Sequence, residues 1–329
     1  MKLAIVILNW NGKKLLEQFL PSVIQHSKGA DIYVADNAST DDSIAFIKSN
    51  YPTITVIQNN ENGGYAKGYN DALTAVKADV FCLLNSDVEV TQNWLNPIIN
   101  AFNEDINTAI IQPKLLDYNK KDCFEYAGAA GGFIDKYGYP YCRGRIFNTL
   151  EKDHGQYNDS IEIFWASGAC MFIKSNVFKE LNGFDEYYFA HMEEIDLCWR
   201  AKNLGYKVKY VGESKIYHVG GATLKNSNPK KTFLNFRNSL FTLTKNADSF
   251  ILGKICVRLI LDGIAAIKFL IEFKPQHTFA ILKAHFSYYF HLNRVLAQRK
   301  SIKNKIKYYS RTSIVFDYFV NKKKEYKSL

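Results

Sequence analysis

The sequence predicts an α/β fold followed by a basic helical region, and three observations carry that expectation. Short β-branched runs alternate with amphipathic stretches over the first ~110 residues. Four successive strand ends carry clusters of polar residues. From about residue 230 the pattern turns helical and strongly cationic.

Taken in chain order, the opening MKLAIVILNW reads as a first strand over Leu3–Leu8. A signal peptide fits it less well, because the apolar run is short, no small-residue cleavage site follows, and Asn9 and Asn11 interrupt it. Further strands are expected at Asp31–Ala35, Ile54–Gln58, Val80–Leu84 and Ala109–Gln112. Helices at about 13–27, 41–49, 66–77 and 92–103 alternate with them. Asp41 or Thr40 is expected to cap the second helix. This is the βαβ rhythm of a parallel sheet.

Residues 113–160, rich in Gly, Tyr, Asp and Lys, read as loops with short strands. Ile161–Ile173 reads as one extended run, followed by helices near 175–181 and 191–204, the latter ending at Gly205. Val208–Val211 and Lys215–His218 read as two short strands. There is no internal repeat.

Composition places the chain among folded proteins: of 329 residues, 47% are hydrophobic and 22% charged, which excludes a disordered chain. The six cysteines form no C-x-x-C pair and mostly sit in apolar runs, as small core residues of a reducing compartment do. Charge is split. Residues 1–225 carry 22 Lys and Arg against 27 Asp and Glu, whereas residues 226–329 carry 20 against 5, a net of +15. The two regions therefore read as a body (1–225) and a basic helical region (226–329) suited to an anionic surface.

Within the basic region, Ser249–Phe273 is long and apolar yet contains Lys254, Arg258, Asp262, Lys268 and Glu272. On a helical wheel these fall within an arc of about 120°. The expectation is a helix lying in the membrane plane with its charges on one side, in preference to a span or a soluble bundle helix. The Lys- and Tyr-rich end of the chain suits an anionic headgroup region.

Candidate chemistry gathers at the strand ends, where open α/β sheets bind their ligands. Asp36 follows an apolar strand and reads either as a ligand-binding carboxylate or as an Asx-turn or helix cap in DNAST. Gly63-Gly64 permit close backbone approach, and Tyr65 and Asn70 begin the next helix. No G-x-G-x-x-G follows the first strand, which removes the main support for a dehydrogenase. Asn85-Ser86-Asp87 ends a buried strand where a carboxylate would suit Mg2+ or Mn2+. His218 reads as an imidazole ligand or as a loop histidine bonded to backbone.

The densest cluster holds five carboxylates between Asp185 and Asp196, set among aromatics instead of alternating with cations. Asp196 and Arg200 are spaced to pair along a helix, leaving Glu193 or Glu194 as a general base. Trp165, with Gly168 beyond it, offers either a ring for stacking on a sugar or an interior core residue.

In order and spacing, VILNWNG, VADNASTDDS, NNENGGYAKGYNDAL, LLNSDVEV, WASGACMFIK, NGFDEYYFAHMEEIDLCWRAKNLGY and IYHVGG resemble glycosyltransferase family 2, especially its rhamnosyltransferase-like members. That resemblance covers about residues 1–225. It implies a GT-A-type, Rossmann-like mixed sheet flanked by helices, and inverting transfer from a UDP- or dTDP-sugar to a glycan or lipid-linked acceptor in cell-surface polysaccharide synthesis.

It further implies that Asp36 reads the base with Asn9 nearby, and that Gly64, Tyr65 and Asn70 belong to the loop over the nucleotide. Asn85-Ser86-Asp87 matches the metal-binding D-x-D with Asn in its first place, so Asp87 is the expected metal ligand, joined by His218. Glu194 stands where the family has its catalytic base, with Glu193 as rival, and Trp165, Gly168 and Asp196 would meet the acceptor. Arg237-Asn238 matches a recurrent pair to which the sequence assigns no role.

The expected setting is the cytoplasmic face of the membrane, with an anionic lipid surface as partner and no nucleic acid. A nucleic-acid-binding protein would use the basic tail on phosphates but finds no matching surface in the acidic body. A catalytically inactive scaffold of the same fold is separated from an enzyme by donor hydrolysis.

Overall fold

The computed structural model describes residues 1–220, 228–302 and 304–329. The expected region boundary at 225/226 and Gly221 of the IYHVGG segment lie outside the described residues.

Alternating strands and helices open the fold: β1 (Leu3–Asn9), α1 (Lys13–His26), β2 (Asp31–Asp36), α2 (Ser43–Asn50), β3 (Thr55–Gln58), α3 (Gly64–Leu73) and β4 (Val80–Asn85). There follow β5 (Val88–Val90), α4 (Leu95–Glu104) and β6 (Thr108–Asp117). Strands β3, β2, β1 and β4 lie side by side and parallel, as the alternation predicts. Both faces of β1 are buried. Leu3, Ile5 and Ile7 join a cluster with Leu16, Leu20 and Trp94, while Ala4 and Val6 join one with Tyr69 and Trp199. A strand covered on both sides must be apolar throughout, which is why this one reads as a continuous run.

Residues 113–160 contain a separate sheet of short strands, β7 (Gly132–Ile134), β8 (Pro140–Cys142), β9 (Arg145–Ile146) and β10 (Thr149–Leu150). The expected single run Ile161–Ile173 is two strands with different neighbours. Strand β11 (Ser160–Ile163) pairs antiparallel with β13 (Lys207–His218) at the sheet's edge, whereas β12 (Cys170–Lys174) inserts antiparallel between β4 and β6. This insertion, together with β11 and β5 running antiparallel to β13, makes the large sheet mixed, as the resemblance implies. The two short strands expected at Val208–Val211 and Lys215–His218 are one strand, β13, with an irregularity between Val211 and Lys215.

Helices α5 (Ser175–Glu180) and α6 (Glu193–Asn203) precede β13. The chain then becomes helical: α7 (Pro229–Asn246), α8 (Ile251–Ile271), α9 (Pro275–Phe290), α10 (Leu292–Ser301) and α11 (Ile314–Phe319). Asn228 caps α7 by accepting from the Lys230 amide, with Pro229 at the first helical position. Helix α7 packs on α6, and α8, α9 and α10 pack on α7. The chain end returns to the small sheet, where the Ile314 amide donates to Asp135 at 2.9 Å and the Tyr326 amide to Glu151 at 2.9 Å.

The orientation of α8 corrects the amphipathic expectation. Lys254, Arg258 and Asp262 are buried, and the apolar side faces outward. Arg258 donates to Asp262 at 2.8 Å and to the Gly138 carbonyl, and Tyr139 donates to Asp262 at 2.8 Å. Buried charges persist when paired in this way. Only Lys268 and Glu272, at the helix end, are exposed. No described helix is long and apolar enough to cross a membrane.

Candidate active site

The register of the sheet sets the polar strand ends side by side. Asn9 stands opposite Asp36, Asp36 opposite Gln58, and Leu8 opposite Asn85. Strand β12 begins at this same end, so the segment 165–169 lies across it, and the Asn85 amide donates to the Ala169 carbonyl at 3.0 Å.

Two glutamates reach this end from the start of α6. The turn before them is strained: Phe189, His191 and Met192 have φ of 63°, 69° and 74°, a region non-glycine residues seldom adopt. Asn238 of α7 holds the turn, its side-chain amide lying 3.0, 3.0 and 2.7 Å from the carbonyls of Tyr188, Ala190 and His191. Arg237 donates to the Tyr187 carbonyl at 2.7 Å. From the other side, the Tyr65 amide donates to the Phe189 carbonyl at 2.7 Å. A Cβ on Gly64 would stand 2.3 Å from that same oxygen, so the close approach requires glycine.

The glutamates are poised as an unsatisfied pair. The Oε2 atoms of Glu193 and Glu194 are both buried and without a hydrogen-bond partner. Burial pushes the Glu194 carboxyl up to about 7. Burial, and then the charge of Glu194, push Glu193 well above the usual carboxylate range. Glu193 is buried as a residue, while Glu194 remains partly exposed and is the more accessible of the two. Nearby, burial and then Lys231 bring His191 down to about 4, and its Nε2 also lacks a partner.

At the end of β4, Asp87 Oδ1 lies 3.1 Å from His218 Nε2. On the other side of the imidazole, Glu125 Oε1 lies 3.3 Å from Nδ1, too poorly aligned for a hydrogen bond. Asn85 Nδ2 stands 3.4 Å from His218 Nε2. Burial works against a charged imidazole here, but Glu125 and Asp87 outweigh it and push His218 up to about 10. Burial likewise works against the Asp87 charge, and His218 outweighs it, so the carboxyl lies below its ordinary value.

A hard carboxylate and an imidazole in contact, with a carboxylate behind the imidazole, would form a donor set for Mn2+ or Mg2+ once the cation displaces the proton that the imidazole otherwise holds. Among the described residues no three His, Cys, Asp or Glu side chains converge as a ready cage, so Asp87 and His218 would leave most of a cation's coordination to other ligands. Glu125, in the segment FEYAG, carries no motif by which the sequence marks it.

The two clusters share one sheet end through a short series of contacts. Asp87 meets His218, His218 meets Asn85, and Asn85 meets Ala169. The adjacent Gly168 accepts from the Tyr65 hydroxyl at 2.8 Å. Burial, then Tyr69, Glu193 and Glu194, hold that phenol well above its usual range.

Asp36 and Asn9 are fully buried in a knot of their own. Asp36 accepts from Asn9 at 2.8 Å, from the Ser39 hydroxyl at 2.6 Å and from the Ser39 amide at 2.9 Å, so it braces its own loop through a bond one residue longer than an Asx-turn. Asn9 Oδ1 is unpartnered, and a Cβ on Gly12 would lie 2.5 Å from it and 3.7 Å from Ser86 Oγ. An open depression bordered by Asn11, Gly12, Lys14 and Asp41 lies beside this knot. Asn37 and Asn59, members of the polar clusters at the ends of β2 and β3, brace the neighbouring loop: Asn59 donates to Asn37 at 2.7 Å, and Asn37 to the Gly64 carbonyl at 2.9 Å.

Two expected contacts are corrected, those of Asp196 and Trp165. Asp196 is sealed, taking Arg200 and Lys245 at 2.8 Å each and Asn246 at 2.7 Å, so it braces α6 against α7 and cannot meet an acceptor. Trp165 is buried, donates to the Phe133 carbonyl at 2.8 Å and packs against Gly132, where a Cβ would overlap its ring, so it is the interior tryptophan of the alternative reading. Both ends of the Asn70 amide are bound to the Phe184 backbone at 2.9 Å, which staples α3 to the turn before α6.

Known proteins agree with this architecture. The model of glycosyl transferase family 2 matches residues 4–181. An N-acetylglucosaminyl-diphospho-decaprenol L-rhamnosyltransferase of Mycobacterium tuberculosis is 23% identical over 235 residues, 66% of this chain and 75% of its own. S. aureus TarS 1–349 in complex with UDP-GlcNAc superposes with a TM-score of 0.56 at 15% identity, over 91% of this chain and 84% of that one. GalNAc-T7 with UDP, GalNAc and Mn2+ gives 0.55 at 19% identity; the match covers 66% of this chain but only 43% of GalNAc-T7.

Proposed function

The chain belongs to glycosyl transferase family 2, and on that premise we propose that it is a metal-dependent, inverting hexosyl- or deoxyhexosyltransferase. The donor is a UDP- or dTDP-sugar and the acceptor a glycan or lipid-linked glycan of cell-surface polysaccharide synthesis. The site of action is the cytoplasmic face of the membrane, reached as a peripheral protein. The mycobacterial relative is named for a diphospho-decaprenol acceptor, and TarS and GalNAc-T7 were solved with uridine nucleotides.

One observation carries the catalytic part: two buried, unpartnered glutamate oxygens stand at the same sheet end as the Asp87–His218 pair. Glu194, the more accessible, is the general base. It takes the proton of the acceptor hydroxyl as that oxygen bonds to the anomeric carbon. The bond from that carbon to the diphosphate breaks, its electron pair leaves with the phosphate, and attack from the opposite side inverts the centre. A carboxyl raised to about 7 is a stronger base than an ordinary carboxylate, and about half of it is ionised near neutral pH.

Asp87 and His218 would hold a divalent cation, which supplies positive charge for the departing diphosphate. Glu125, 3.3 Å behind the imidazole, places a negative charge on its far side. The Asn238 clamp keeps the glutamates aimed.

Glu194→Gln is expected to lower transfer by about 10²–10⁴-fold while retaining Mn2+-dependent binding of UDP. Asp87→Ala is expected to abolish both. Calorimetry showing undiminished Mn2+-dependent UDP binding by Asp87→Ala would overturn the metal assignment.

A further inference from the structure

Helix α8 turns its charges inward, and what it leaves outside is apolar. Ile260, Ile264, Ile267 and Ile271 follow one another at spacings of four, three and four, and all are exposed, Ile271 by 72%. Arg258 and Asp262, by contrast, are almost wholly enclosed. Helix α9 does the same with Phe279, Phe286 and Phe290, the last 85% exposed, while Ala280, Ile281, Ala284 and Tyr288 face inward. Both helices pack on α7 and on each other, so the residues turned away from α7 share the molecule's outer side. Phe273, in the connection between them, is 93% exposed.

Exposed apolar residues at helical spacing on two adjoining helices form a contact surface, not scattered surface leucines. Its border identifies the partner. Lys268, Lys274 and Lys283 are exposed along it, with Glu272 the one acidic residue among them. The surrounding region, 226–329, carries net +15. A second copy of the chain would bring a second set of cations to the same contact, whereas an anionic bilayer offers phosphates to the lysines and acyl chains to the isoleucines and phenylalanines.

We propose that the outer face of α8 and α9 lies in the plane of an anionic lipid bilayer, with Ile264, Ile267 and Phe286 inserted beneath the headgroups and Lys268, Lys274 and Lys283 at phosphate level. This deepens the membrane location proposed above and rests on it. The buried Arg258–Asp262 pair is the device that permits it, because those charges are neutralised inside and leave the outer stripe free to enter lipid.

The test is flotation of the full chain with phosphatidylcholine vesicles, with and without phosphatidylglycerol, together with Ile264→Glu/Ile267→Glu. Wild type is expected to float with the anionic vesicles. The double variant is expected to bind at least tenfold less while keeping its Tm and its Mn2+-dependent UDP binding. A polarity-sensitive thiol probe on Cys256, an exposed cysteine on the same stripe, is expected to shift to the blue on adding anionic vesicles. Undiminished flotation of the double variant, or no probe shift while the protein floats, overturns the inserted face and leaves the membrane location standing. No flotation of wild type with any vesicle overturns both. Light scattering that shows a wild-type dimer dissociated by the double variant assigns the face to a second copy and overturns the lipid assignment.

Discussion

The side-chain amide of Asn238 stands 2.7 Å from the carbonyl of His191, so a helix from the basic region holds the left-handed turn that delivers two glutamates to the sheet end. The residue is fully buried, and no contact in the first 190 residues substitutes for it on that carbonyl.

Asn238→Asp keeps the shape and removes the donor, placing a carboxylate against three carbonyl oxygens. Turnover is expected to fall by about 10-fold or more as the glutamates lose their aim, while UDP affinity stays within about twofold of wild type. Steady-state kinetics beside calorimetry make the comparison. Equal loss in both would place Asn238 in nucleotide binding.

Turnover is expected to rise with pH through about 7, because the base acts ionised and burial has raised Glu194 to that value. The stability consequence has the opposite sign. A carboxyl whose folded pKa exceeds its unfolded one stabilises the fold fully at pH below the unfolded value, and that contribution is lost as pH rises through the folded value. Glu194→Gln is therefore expected to have a Tm about 2 °C or more above wild type at pH 8, with no advantage at pH 4. Thermal unfolding at both pH values checks it.

Lys245 serves two buried carboxylates, Asp185 at 3.1 Å and Asp196 at 2.8 Å. Burial works against the Asp185 charge, yet Lys245 and Arg294 hold its carboxyl far below the usual range. Lys245→Ala is expected to destabilise by about 3–5 kcal/mol, the cost of stranding a buried charge. Lys268→Ala, at an exposed pair with Glu272, is expected to change the urea midpoint little.

Glu125→Gln removes the charge behind His218 without touching Asp87. Mn2+ affinity measured with UDP present is expected to weaken by about 10-fold. Unchanged affinity would assign Glu125 to local structure alone, through its bond to the Ala127 amide.

Local pattern was enough for much of this protein. Strands β1 to β4 and helices α1 to α6 follow from runs and periods in the sequence, and the Asn85-Ser86-Asp87 and Glu193-Glu194 segments declare themselves by their chemistry and their place at element ends. Residues 161–173 read as one strand because the intervening WASGA is apolar enough to pass for extended core, whereas the fold divides them between two positions in the sheet. Trp165 and Asp196 each left two readings open, since a tryptophan or a carboxylate looks the same in sequence whether it lines a cleft or fills an interior.

Tertiary structure decided what sequence spacing could not reach. Glu125 meets His218 across 93 residues of chain, and Asn238 meets His191 across 47, so no local pattern links them. Helix α8 shows the limit most plainly. Periodicity established that Lys254, Arg258 and Asp262 share a side, but the direction of that side depended on Tyr139 and the Gly138 carbonyl, which satisfy the buried charges. A helix's own sequence specifies which residues lie together; the partners that compensate their desolvation determine whether that side faces water or the interior.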